Sequence, residues 1–219
     1  TSTHSHLDLG KFFKKEKYRV LEYPSIWSIL PGVAVFISGN SFATLTFLDQ
    51  EALYHKEALY KKHGKALTAL VNDKAIDFIV TRKNASSLSV INADGEAEIG
   101  ISNGKVSYKS VSANPFGIPD TNTFLNAEEA FDYCYDSDYP DALIQCKQLF
   151  ESHRSGDVAV SANVGYDLRD FWEIPEHKGS HGSLHKDHLH VPLLFSKRVV
   201  EKPIRTTDVY SIIRNFMDN

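Results

Sequence analysis

Val33-Ala34-Val35-Phe36-Ile37-Ser38, then Gly39-Asn40-Ser41, then Ala43-Thr44-Leu45-Thr46-Phe47-Leu48: two apolar, β-rich runs stand on either side of a turn signal, and their reading decides the fold. A hairpin or bent strand pair is expected. Residues 49–72 follow with Ala, Leu, Lys and Glu at helical periods, and Gly64 is expected to break them into two helices. The apolar strand 76–81 comes next. Upstream, Leu7, Leu9, Phe12 and Phe13 recur at helical spacing with Lys11, Lys14 and Lys15 opposite, which reads as a short amphipathic helix before a strand at 18–23. Strands alternating with helices point to an α/β fold, a mixed sheet with flanking helices.

From Ser87 the texture changes. Leu88, Val90 and Ile91 lead to Asp94-Gly95, then Ile99 and Ile101 to Asn103-Gly104, then Val106 and Tyr108. Asp-Gly and Asn-Gly between short alternating runs favour hairpins, because such turns want positive φ. The expectation is a small antiparallel elaboration near 87–111 on the larger sheet. Asn126 should cap a helix reaching about Cys134, with Glu128 and Glu129 in its first turn. A second helix is expected over 140–150, a short strand over 158–162, and irregular chain over 165–178. The last helix opens near Thr206 and Thr207 with Val209, Ile212, Ile213 and Phe216 as its apolar stripe.

The chain has 219 residues, 42% of them hydrophobic, which is enough for one large domain or a domain with an inserted lobe, the second being favoured. Net charge is -4, and no Lys/Arg run is interleaved with aromatics, so no nucleic-acid surface is expected. No apolar run approaches the roughly 20 residues that span a bilayer. Cys134 and Cys146 lack a Cys-x-x-Cys spacing, so two buried, reduced thiols are expected rather than a disulfide framework or a thiolate zinc site. The compartment stays open, with the cytoplasm favoured.

Chemistry concentrates in Gly179-Ser180-His181-Gly182-Ser183-Leu184-His185 and Lys186-Asp187-His188-Leu189-His190, ahead of Val191-Pro192-Leu193-Leu194-Phe195. Four imidazoles fall within ten residues, and glycines near the first allow a tight turn that can hold its ring toward an ion or anion. The apolar run after Pro192 has the character of a buried strand, which would put His181 on a loop entering a sheet. His181 and His185 would share a face on a helix, His188 and His190 on a strand, and neither pair completes a zinc site. A ligand role is favoured for His181, His185 is balanced between ligand and structural roles, and structural roles are favoured for His177, His188 and His190. Ser180 and Ser183 read as loop hydrogen-bonders, since no general base is assigned to either.

The same stretch resembles the C-terminal signature of the alkaline phosphatase superfamily, in its type I phosphodiesterase and nucleotide pyrophosphatase branch. Arg205-Thr206-Thr207-Asp208-Val209 is similar to the start of that family's last helix, and Thr3-His4-Ser5-His6-Leu7-Asp8-Leu9 to the segment just beyond its Asp-His-Gly metal motif. The resemblance implies an alkaline-phosphatase-like C-terminal portion of a catalytic domain over 1–219. It also implies a site of two divalent metal ions, zinc the expected one, acting on a small phosphate-ester substrate with a Ser or Thr nucleophile. His181 matches the family's last metal histidine, and an acceptor must hold its other ring nitrogen. His185 and His6 could stand at the edge of the site or behind its ligands, although a surface role is favoured for His6 and a helix-supporting role for Asp8. The nucleophile and the other ligands would lie upstream of Thr1. The expectation is therefore a hydrolase segment that needs the missing N-terminal portion of its domain and is inactive alone. The rival is a non-catalytic module that binds a metal or a partner through the His-rich loop.

Overall fold

The computed structural model describes residues 1–22, 32–49, 52–169, 178–194 and 202–218. In chain order they form β1 (Ser5–Asp8), α1 (Leu9–Lys15), β2 (Val20–Glu22), β3 (Val33–Ser38), β4 (Phe42–Phe47) and α2 (Lys56–Val71). Then come β5 (Ile76–Asn84), β6 (Ser87–Asn92), β7 (Gly95–Ser102), β8 (Lys105–Ser110), α3 (Ala127–Cys134) and α4 (Ala142–Glu151). The series closes with β9 (Val158–Ala162), β10 (Tyr166–Arg169), α5 (Lys186–Leu189) and α6 (Val209–Met217). Two compact units result, Thr1–Leu189 and His190–Asn219.

In the first unit the sheet grows outward from the β3–β4 hairpin, in which Val33 lies opposite Phe47 and Ser38 opposite Phe42. Gly39 and Asn40 in its turn both take φ of 64°, the left-handed region that these two residue types tolerate best. The strand order is β2-β3-β4-β9-β5-β6-β7-β8. β2 joins β3 in parallel and every other neighbour is antiparallel. The two hairpins expected near 87–111 form as β6, β7 and β8, and they extend this same sheet through β5.

Alternation along the central strands makes two cores. Val158, Val160 and Ala162 of β9 turn to the side of α1 and α2, where Phe13, Leu59, Leu67 and Leu70 pack. Ala159 turns the other way, with Phe78 and Val80, onto Leu143, Ile144 and Cys146 of α4 and Ala130 and Cys134 of α3. A bulge between Ile76 and Phe78 switches Ile76 to the first core. Helices thus flank the mixed sheet. Both cysteines are free and buried, and burial pushes both thiols up to about 12.

Several local expectations change. Leu7 belongs to β1, not to the first helix, whose start is set by Asp8: its carboxylate accepts the Lys11 amide at 2.7 Å. Residues 56–71 make one helix, not two, because Leu59, His63, Ala66, Leu67 and Leu70 are buried on both sides of Gly64. Tertiary burial of that stripe outweighs the roughly 1 kcal/mol that a helical glycine costs. Within the span read as irregular, β10 pairs in parallel with β1, Ser5 opposite Tyr166 and His6 opposite Asp167, as a separate two-stranded ribbon.

In the second unit Val191, Pro192, Leu193 and Leu194 form no strand and are exposed. Pro192 cannot donate to a ladder, and no described strand pairs with this run. Arg205 donates its amide to Asp208 Oδ2 at 3.0 Å, opening a 3-10 turn (Thr206–Asp208) that runs into α6 as expected. Tyr23, His177 and Phe195 lie outside the described residues. No described helix is long and apolar enough to cross a membrane.

Candidate functional site

His181 is placed by backbone, not by its ring. Its amide donates to the Gly39 carbonyl at 2.7 Å, and its carbonyl accepts the Ser41 amide at 3.0 Å. Asn40 bridges to it in parallel on one side and, through its carbonyl, accepts the Leu168 amide at 2.6 Å on the other. The imidazole rests against Gly39, where a Cβ would stand 2.5 Å from Nδ1. Gly182 takes φ of 102°, and a Cβ there would come 2.9 Å from the Ser38 carbonyl. The β3–β4 turn and the histidine loop are therefore pressed together at two glycines, with the His181 side chain exposed above them.

The extended residues 1–3 border the loop through an isolated bridge. Ser2 bridges Gly179 in antiparallel sense, the Thr3 amide donates to the Lys178 carbonyl at 3.0 Å, and the Ser180 amide donates to the Thr1 carbonyl at 2.9 Å. On one face of this ribbon the Thr3 hydroxyl donates to Asp167 Oδ1 at 3.0 Å. Asp167 is wholly buried, and among the described residues its Oδ2 has no hydrogen-bond partner, nor has the buried hydroxyl of Ser180. Nothing in the sequence marked Asp167 out: a single Asp among the alternating residues of a four-residue strand carries no site signal.

The remaining histidines divide by environment. Ser183 is wholly buried; its oxygen lies 2.8 Å from His188 Nδ1 and accepts the His185 amide at 3.3 Å, so it is the loop hydrogen-bonder the sequence suggested. Burial above all, with the chain's amino terminus and His185 adding to it, holds His188 below the usual imidazole range. His185 accepts the Asp187 amide on Nδ1 at 3.2 Å, and its ring meets Tyr139 edge-on at 5.7 Å. Tyr139 in turn donates its hydroxyl to Asp77 at 2.9 Å. Lys186 ties the loop to the same place, its amide on the Asp138 carbonyl at 2.8 Å and its ammonium on the Asp138 carboxylate at 2.7 Å.

His6 is exposed on β1, and His190 is exposed at the start of the second unit. Of the residues singled out from the sequence, the structure gathers His181, His185, His188, Ser180 and Ser183 around one loop, and it adds Gly39, Asn40, Thr3 and Asp167 as its supports. Among the described residues no group of three or more His, Cys, Asp or Glu side chains is placed to hold a metal ion. A zinc centre takes three or four protein ligands, and His181 brings one exposed imidazole on a fixed backbone. Compared with known proteins, the chain matches no family model, no curated protein and no solved structure.

Proposed function

We propose that this chain supplies one metal-ligating histidine, His181, to a metal-dependent hydrolase of phosphate esters of the phosphodiesterase and nucleotide pyrophosphatase kind. The other ligands and the nucleophile come from polypeptide outside these 219 residues, so the chain alone is inactive. The observation that carries this reading is the union of two distant stretches. Thr1–Thr3 leads into the segment similar to the one that follows the family's Asp-His-Gly motif, and it lies hydrogen-bonded along Lys178–Ser180, which leads into the segment similar to the family's metal-histidine motif. Polypeptide arriving at Thr1 would therefore enter beside His181.

A bound zinc pair would polarise the phosphoryl oxygens and activate an oxygen nucleophile. The chain's own part is to hold the His181 imidazole at a fixed point beside the β3–β4 turn, which its two backbone hydrogen bonds and the Gly39 contact support. The test compares His181→Ala with His190→Ala in the polypeptide extended upstream of Thr1, measuring zinc content and turnover of an aryl phosphate diester. His181→Ala is expected to lose one metal and at least about 10 to 100-fold in turnover. Retention of both metals and rate in His181→Ala, with their loss in His190→Ala, would overturn the assignment. Chelator-sensitive turnover by the 219-residue chain alone would overturn the incomplete site.

A further inference from the structure

The imidazoles of the exposed His181 and the partly accessible His185, in the same loop, offer different chemistry. A backbone amide can only donate, so the Asp187 N–H that points at His185 Nδ1 from 3.2 Å requires that nitrogen to be an acceptor. In the neutral ring the proton then sits on Nε2. Tyr139 fixes the ring plane from its edge, with an interplanar angle of 89°, and Asp77 fixes Tyr139 through its hydroxyl. Among the described residues no group is hydrogen-bonded to His185 Nε2, while the ring remains partly accessible. The loop therefore presents an oriented N–H donor. A nitrogen that carries its proton cannot ligate a metal, whereas an N–H suits an oxyanion.

We propose that His185 is a substrate-side hydrogen-bond donor, its Nε2–H meeting a non-bridging oxygen of a phosphoryl group, and that it is not a metal ligand. The inference rests on the phosphate-ester reading for its choice of anion. Both imidazoles stand in one loop, four residues apart in sequence, and the loop is pinned at each: the His181 amide donates to the Gly39 carbonyl at 2.7 Å and the His185 amide to the buried Ser183 hydroxyl at 3.3 Å.

The test uses the metal-free 219-residue chain and orthophosphate as probe. Long-range proton–nitrogen NMR at pH 7.5 should give the Nε2–H form for His185, and titration with phosphate should move its Nε2 resonance. His185→Ala should weaken phosphate binding about tenfold, the scale of one hydrogen bond to a charged group. His185→Gln, whose amide can place an N–H near the position of Nε2, should recover part of it. An Nδ1–H tautomer, or phosphate that moves other histidines and leaves His185 unmoved, overturns the proposal. Zinc added separately distinguishes the two readings. If zinc binds His185 through Nε2, this proposal fails and the metal site stands; if zinc never engages His181 even in the extended polypeptide, the metal site fails and the phosphate result still decides His185.

Discussion

The His181 amide donates to the Gly39 carbonyl at 2.7 Å while its imidazole lies so close over the same glycine that a Cβ there would stand 2.5 Å from Nδ1. Position and chemistry are thus separable at His181: the backbone holds the place and the exposed ring supplies the nitrogen. His181→Ala should accordingly leave stability within about 0.5 kcal/mol of the parent, so any loss of metal can be read as loss of a ligand.

Gly39→Ala should do the reverse. Alanine must either adopt φ of 64° or shift the turn, and in both cases its methyl meets the His181 ring. The expected cost is about 1–3 kcal/mol, visible as a lower denaturation midpoint together with displaced NMR signals from His181. A variant as stable as the parent, with His181 unmoved, would show that the turn does not clamp the loop.

Asn126 accepts the amides of Glu128 and Glu129, both at 3.0 Å, while Glu129 reaches back to the Asn126 amide at 2.7 Å. This reciprocal cap closes donors that would otherwise be unsatisfied at the start of α3. Asn126→Ala should cost about 1 kcal/mol, and amide exchange should rise first at 127–130. Unchanged exchange there would mean that packing of Ala130 and Cys134 alone sets the helix start.

Local chemistry made this cap readable from sequence, and the same holds for the turn at Gly39-Asn40 and the hairpins at 94–95 and 103–104. Each rests on residues adjacent in the chain. What stayed hidden depends on partners far away. β10 is a strand because β1, some 160 residues earlier in the chain, lies beside it, and a four-residue run offers too short an alternation to announce that. The run after Pro192 is apolar enough for a buried strand, yet no described strand lies alongside it. At the site, four histidines in ten residues marked the loop. Its clamp by Gly39 and its neighbour Asp167 required the folded chain.

Two titrating groups should tilt stability in opposite directions with pH. Burial raises Asp77 from 3.8 to about 6, against the lowering effect of the Tyr139 hydroxyl. The folded state then binds the proton more tightly than the unfolded one, so Asp77's contribution is fully present below about pH 4 and is lost as pH rises to about 6. Burial lowers His63, which sits stacked on Phe47 at 3.9 Å with Tyr18 on its Nδ1 at 2.9 Å. Its contribution is present above its unfolded value of 6.5 and is lost as pH falls below that. Comparing Asp77→Asn with the parent isolates the first effect. The variant should gain on the parent between pH 4 and 6 by on the order of 3 kcal/mol, and chemical denaturation at a series of pH values would show a flat difference if Asp77 titrated normally.

Gly64 offers the sharpest contest between sequence and structure. As a helix breaker it would sit at a bend, with a backbone conformation that alanine resists. In the structure it lies inside α2 with no positive φ, and an added Cβ would meet the Tyr60 ring at 3.4 Å, an ordinary contact. A glycine in that setting only adds freedom to the unfolded chain. Gly64→Ala should therefore stabilise the protein by about 0.5–1 kcal/mol, raising the denaturation midpoint with an unchanged slope. The neighbours bound the gain, because Tyr60 packs on the first core and a ring forced aside would cancel part of it. Gly64→Ser separates the two effects: it adds the same Cβ with a poorer helix former, so it should fall between glycine and alanine. If both variants lose stability, the helix bends at residue 64 after all and the continuous packing of Leu59 and Leu67 on one side of the sheet cannot be right.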